Sequence, residues 1–238
     1  MTNYDLFAKF YDAAMGDPTT KTVRLKTLIR KHQPQAKTLL ELACGTGSIL
    51  KELCNDYTVE GLELSPKMLE IAARKVPQAT LHLGDMSNFN LGKQFDVVIC
   101  VFDSINHLEA FEGWQAVFKH ASDHLTKGGL FIFDFNTIGR LERLMQSPPA
   151  ISRLGDDYLF MTITKTPSGA SNWDIKVFEA LGGSKFELHE ENIIEASYPL
   201  EQVKKAAGEY FDLLEIIDHF DGEPSDESDR VWVVGRKK

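Results

Sequence analysis

The sequence predicts a doubly wound, Rossmann-like α/β fold of seven strands with a small antiparallel β insertion. Three observations point there. From residue 38, short apolar runs alternate with longer helical patterns, the rhythm of a parallel sheet covered on both faces. The first strand runs into a glycine-rich turn. After Asn136 the rhythm changes to strand-like alternation broken by turn clusters, as in an antiparallel meander.

Taken in order, strands are predicted at Thr38–Ala43, Thr58–Leu64, Ala79–Gly84, Phe95–Phe102 and Gly129–Phe135. Ser65-Pro66 reads as an N-cap with proline at the first helical position, so a helix begins there. Over Phe111–Leu125, Phe111, Trp114, Val117, Phe118, Ala121 and Leu125 share one stripe, which predicts an amphipathic helix ended by Lys127-Gly128-Gly129. The insertion contains YLFMTITKT, a PSGASN turn cluster, WDIKVFEA, a Gly182-Gly183 turn and KFELHEENIIEASY. A helix at Leu200–Ala207 and strands at Phe211–Phe220 and Arg230–Arg236 complete the pattern. Between those strands lies DGEPSDESD, with five acidic and no basic residues, expected to be a solvated connecting loop. The core is therefore assigned to residues 1–139 and 199–238, and residues 140–198 to an insertion that forms a cap or a dimer surface.

With 238 residues the chain suits one large domain, or one with a small insertion. A 43% apolar share with 26% charged residues excludes disorder and collagen-like repeats. No apolar run approaches the roughly 18 to 20 residues needed to cross a bilayer, and the N-terminus has no basic segment followed by an apolar one. A cytoplasmic location, with no membrane partner, is expected. Cys44, Cys54 and Cys100 form no CxxC pair, and the seven histidines show no ligand spacing with them, so neither a disulfide framework nor a metal is expected. His120 and His124 are expected on the solvated side of their helix. The net charge of −9 argues against a nucleic-acid partner.

The densest chemical signal is LLELACGTGS at residues 39–48. Glycines where a strand turns into a helix let the backbone approach a ligand, beside unpaired helix N–H groups. A dinucleotide turn would read GxGxxG, but Leu50 occupies the third glycine's place, and no GK[ST] follows to make a Walker loop. What remains suits a nucleoside ligand with less provision for phosphate. Eighteen residues past Gly45, Glu63 ends the second strand, where a carboxylate accepts from the cis hydroxyls of a ribose. At the third strand's end Asp85 can accept from an adenine amine, while the Met86 thioether lies against the ring. Glu63 could instead cap the next helix and Asp85 close an Asx turn. Three such features at successive strand ends favour the ligand reading.

These residues resemble the class I S-adenosylmethionine-dependent methyltransferases. The matching stretches are LLELACGTGSIL, VEGLELSPKMLEIA, the GDM at 84–86, FDVVICVFDSINHL and LTKGGLFIFDFNT, five blocks in the family's order over about residues 38–137. The resemblance implies S-adenosyl-L-methionine as cofactor and S-adenosyl-L-homocysteine as product. Glu41, Ala43, Gly45 and Gly47 would line the cofactor's amino-acid end, Glu63 would bind the ribose, and Leu64, Met68, Asp85 and Met86 would surround the adenine. Cys44, Phe102 and Asp103 complete the expected set. Ala43 departs from the glycine of many members. An acidic turn suits a sulfonium and an ammonium better than a pyrophosphate would.

Within the family the likeness extends to small-molecule enzymes with an antiparallel insertion, including N,N-dimethyltransferases of nucleotide-linked amino sugars. FAKFYDAAM and the SINHL segment carry it. It implies that Tyr11 covers the cofactor and that His107 faces the substrate. An imidazole with a pKa near 6.5 can take a proton from an amine at neutral pH. His107 could equally cap the helix beginning near Ala110. Asp103 and Asn106 either contact substrate or organise their loop, and Asp103 is assigned to the site. The expected activity is methyl transfer to a small molecule, N-methylation before O-methylation. A non-catalytic cofactor-binding protein and an NAD-dependent oxidoreductase are the rival readings. The chain is expected to be a monomer or homodimer.

Overall fold

A computed structural model describes residues 4–238 of the chain; the first three residues of the expected core segment lie outside the described residues. Two helices come first, α1 (Ala8–Met15) and α2 (Thr19–His32). The alternating core follows as β1 (Thr38–Leu42), α3 (Ser48–Leu53), β2 (Thr58–Glu63), α4 (Pro66–Lys75), β3 (Thr80–Leu83), β4 (Phe95–Cys100), a 3₁₀ turn at Ser104–His107, α5 (Phe111–Asp123) and β5 (Leu125–Asn136). After α6 (Ile138–Met145) come β6 (Ala150–Leu154), β7 (Asp157–Lys165), β8 (Ser171–Gly182) and β9 (Lys185–Glu195). The chain then returns through α7 (Leu200–Ala207), β10 (Phe211–Asp218) and β11 (Arg230–Lys237).

A seven-stranded sheet runs in the order β10-β11-β5-β4-β1-β2-β3. Its strands are parallel except β11, which is antiparallel to both neighbours. The strand order reverses at β1, which lies between β2 and β4. A crevice therefore opens beyond the carboxyl ends of β1 and β4, the place where doubly wound folds bind ligands. Strands covered on both faces carry continuous apolar runs, as the fully buried Val97–Cys100 of β4 and Leu130–Ile132 of β5 do. Phe131, Phe133 and Phe135 on one face of β5 pack with Trp114 and Phe118 of α5, as a core position for the phenylalanine-rich strand requires. Gly61 in β2 has no room for a side chain, since a Cβ there would stand 2.6 Å from Cys44 Sγ.

The second sheet is a separate antiparallel meander, β6-β7-β8-β9. Its inner face places Leu159, Ile175, Val177 and Ile193 against Phe7 and Phe10 at the N-terminus. The N-terminal segment is thus wedged between the meander and the core.

Several expectations are corrected. Helix α5 stops at Asp123 rather than Leu125, because Leu125 already pairs with Phe95 in β5 and the Phe95 N–H donates to the His124 carbonyl. Gly128 and Gly129 lie inside that strand instead of ending the helix. His124 is buried rather than solvated: it stacks on Phe89 and its Nε2 accepts from the Leu91 N–H. The acidic loop is not merely solvated. Asp226 accepts from the Leu200 N–H at the start of α7, and Arg143 of α6 pairs with Asp229 at 2.7 Å. Helices α1, α2 and α6 and strand β6 were not anticipated.

Candidate active site

The crevice is shaped by backbone that few residue types tolerate. Ala43 (φ 53°) and Gly45 (φ 53°) both lie in the left-handed region just after β1. For Ala43 this costs on the order of 1 kcal/mol, which is the physical content of its standing where glycine is usual. The turn after β4 is strained likewise, with Phe102 (φ 61°) and Asp103 (φ 54°) in succession. Gly47 (φ 76°) starts α3; a Cβ there would meet Ala72 at 3.2 Å, so it lets α3 and α4 approach.

Two adjoining cavities occupy the crevice, and Tyr11, Ala43, Gly45 and Phe102 border both. The larger runs past Glu63, Leu64, Met68, Asp85 and Met86 to His107. The smaller holds Glu41 and Cys44 together with Thr46 and Ser48. Of the expected site residues, twelve therefore surround connected space. Gly47 and Asp103 border neither cavity.

Glu63 receives N–H donors from Gly45 (2.9 Å, to Oε2) and Ser65 (2.8 Å, to Oε1), so its carboxylate ties the ends of β1 and β2 together. It does not cap α4; Ser65 does, accepting from the Met68 N–H at 3.2 Å. Burial pushes the Glu63 carboxyl up, and those N–H donors partly offset it. Glu41 is 3% exposed, and its Oε2 has no partner among the described residues. Burial, then the nearby Glu63 charge, holds its carboxyl well above the usual carboxylate range. Such an orphaned buried oxygen calls for a donor or a cation. Asp85 does close an Asx turn, accepting from the Ser87 N–H (2.8 Å) and hydroxyl (2.7 Å), yet it still borders the larger cavity. Leu64 is 50% exposed at the mouth, an apolar surface available to a flat ring.

His107 borders the larger cavity and does not cap α5. Its Nε2 is 3.1 Å from the Tyr4 hydroxyl, and its Nδ1 is 3.5 Å from the Ile194 carbonyl oxygen of β9. Burial lowers its pKa below the ordinary 6.5, while the Asp103 charge opposes that shift.

Asp103, expected in the cofactor-binding set, borders neither cavity and is tied into the fold by its side chain. Its Oδ1 pairs with Arg230 at 2.8 Å and its Oδ2 accepts from Asn136 Nδ2 at 2.8 Å. Arg230 also pairs with Asp134 at 3.0 Å. Burial alone would raise the Asp103 carboxyl; Arg230, His107 and Lys21 together hold it below its usual value. Nearby, burial and then the Asp103 charge push the Glu195 carboxyl up to about 8.

Sequence reasoning missed Tyr4, Ser104 and Leu108 of the lining, and the cluster that fastens α1 over the glycine turn. In that cluster Lys75 Nζ pairs with Asp12 at 2.6 Å and donates to Thr46 (2.9 Å) and Ser48 (2.8 Å). Tyr4 stands seven residues before Tyr11, a repeat that could have flagged it; Arg230 carries no local signal.

Residues 39–129 match the family model described as a methyltransferase domain. The dTDP-3-amino-3,6-dideoxy-alpha-D-glucopyranose N,N-dimethyltransferase of Streptomyces fradiae is 44% identical over 111 residues, which make up 46% of this chain and 44% of that protein. The chain spans about half the length of this and the next curated relatives. Over the whole fold, an S-adenosylmethionine-dependent methyltransferase from Clostridium acetobutylicum ATCC 824 is similar with a TM-score of 0.87 at 23% identity, covering 98% of both chains. The sugar N-methyltransferase KedS8 from Streptoalloteichus sp. ATCC 53650 gives 0.82 at 22% identity, covering 98% of this chain and 92% of that one. The chain therefore carries a methyltransferase domain over residues 39–129, set within the fold of S-adenosylmethionine-dependent methyltransferases.

Proposed function

We propose that this chain moves a methyl group from S-adenosylmethionine to the nitrogen of a small amine-bearing acceptor of the amino-sugar class. The observation that carries the reading is the placement of Glu41 and Glu63 at the ends of adjacent strands β1 and β2, around a left-handed turn and opposite His107. When bound, the cofactor supplies a methyl group on a positively charged sulfur. The chain's residues fit it. The unpartnered Glu41 oxygen suits a cationic group in the smaller cavity, and a cation there would return its carboxyl to the ionised form. Glu63 keeps lone pairs beyond those used by Gly45 and Ser65, enough to accept from ribose hydroxyls. Leu64, Met68 and Met86 offer an apolar slot for a base, with Asp85 at its edge.

His107 holds and accepts the acceptor's proton, while Tyr11 and Phe102 narrow the space between the two cavities and exclude water. The β6–β9 meander is read as the cap on the acceptor side, since β9 supplies the carbonyl that orients His107. Residues 1–139 and 199–238 form the core in this reading. Three free cysteines fit a reducing cytoplasm, and the net charge of −9 fits a small molecule better than a nucleic acid. N-Methylation is favoured over O-methylation by what the curated relatives are named for.

The test is incubation with S-adenosylmethionine and dTDP-3-amino-3,6-dideoxyglucose, followed by mass spectrometry. Mono- and dimethylated products with matching S-adenosylhomocysteine are expected; a product methylated only on oxygen would contradict the reading.

A further inference from the structure

Tyr4 belongs to no part of the reading so far, yet its hydroxyl holds the position most important to His107. The Ile194 carbonyl, 3.5 Å from Nδ1, can only accept, so the tautomer that uses this contact carries its proton on Nδ1 and presents the Nε2 lone pair. The Tyr4 hydroxyl, 3.1 Å away, donates to that lone pair. Tyr4 also borders the larger cavity. A base whose nitrogen is covered by a phenol meets a substrate only through that phenol.

We propose that the Tyr4 hydroxyl is a catalytic relay that carries the acceptor's proton to His107 Nε2. This rests on the methyl-transfer reading above. The acceptor enters as an ammonium group. Its N–H bond breaks and the proton goes to Tyr4 Oη, while the Tyr4 O–H bond breaks and that proton goes to Nε2. The phenol is regenerated neutral, the amine gains its lone pair, and the imidazolium formed lies beside the Asp103 carboxylate. The imidazolium later returns its proton to solvent.

The surroundings suit the role. Tyr4 adopts φ 74°, a conformation costly for a tyrosine, and neighbouring contacts hold it. Glu191 of β9 accepts from the Leu6 and Phe7 N–H groups at 3.1 and 3.2 Å, and the Ser65 hydroxyl donates to Asp5 at 2.6 Å. The ring stands edge-on to Tyr11 and His107, with centroids 5.7 and 5.4 Å apart. The titratable groups facing Tyr4 are Tyr11 of α1, Glu195 of β9, Asp103 after β4 and Glu63 of β2; burial first, then their charges, keeps the phenol protonated well above its usual pKa. A phenol that stays neutral can pass a proton without storing charge.

Tyr4→Phe keeps the ring and its packing, and retained S-adenosylhomocysteine binding in both proteins separates failure of this proposal from failure of the methyl-transfer reading. Nitrogen-15 NMR of the homocysteine-loaded protein reads His107 directly. Wild type is expected to show a protonated Nδ1 and an accepting Nε2, and the His107 titration midpoint is expected to rise in Tyr4→Phe, because the donated bond favours the neutral ring. With dTDP-3-amino-3,6-dideoxyglucose, kcat should fall about a hundredfold with KM unchanged. An unmoved titration overturns the proposal whatever the acceptor, and so does a Tyr4→Phe rate equal to or faster than wild type.

Discussion

His107→Gln is expected to lower kcat by roughly 10² to 10⁴-fold at neutral pH, the usual contribution of a positioned base. The substitution removes the proton acceptor while keeping a polar side chain of similar reach, and cofactor affinity should change little because His107 makes no hydrogen bond to Glu41 or Glu63. The pH dependence gives the loss its signature. Burial lowers the folded His107 pKa below 6.5, so the ring is neutral and competent down through that range. The wild-type rate should rise with pH through a midpoint below 6.5 and then flatten. In the variant the deficit should shrink toward alkaline pH, where solvent supplies the free amine. A rate profile measured from pH 5 to 9 checks this, and a deficit of constant size would mean that His107 only aligns the acceptor.

Arg230→Met should destabilise the fold by about 3 kcal/mol or somewhat more, because it strips the partner from two buried carboxylates, Asp103 and Asp134. Arg230 keeps a side-chain exposure of 15%, which places the cost near the lower end of what a broken buried pair incurs. For a chain of this size that is on the order of a 10 °C fall in Tm. Scanning calorimetry would measure it. Adding Asp103→Asn to Arg230→Met should recover part of the loss by removing one unpaired charge. Arg230 ends at the turn bearing Phe102 and Asp103, so the same variant should also loosen the cofactor side of the site.

Much of this arrangement was legible in the sequence for a reason of scale. Short parallel strands buried on both faces must be written as apolar runs, and a turn that meets a ligand must be written with glycine and acidic residues at fixed places. Hence β1 to β5, and the placement of Glu63 and Asp85 at strand ends, could be read from local pattern, whereas His107 was singled out only through the resemblance of the SINHL segment. The parts that could not be read depend on distant partners. Helices α1 and α2 carry weak periodicity and are held by contacts with the meander and the core, such as Phe7 with Val177 and Asp12 with Lys75. Asp103 stands near a strand end as Glu63 and Asp85 do, and its pairing with Arg230, 127 residues later, leaves no local trace in the sequence. Tyr4 gains its position from Glu191 and Ser65, neither near it in sequence. His124 was misplaced because a helical wheel does not register that Phe89 approaches from outside the helix.

Isothermal titration calorimetry with S-adenosylhomocysteine examines the central claim with no acceptor required. Wild type should bind with roughly micromolar affinity. Glu63→Ala should weaken that by about 10 to 100-fold, the loss expected when hydrogen bonds to a charged group disappear. Absence of binding to the folded wild type, or equal affinity in the two proteins, would contradict the account.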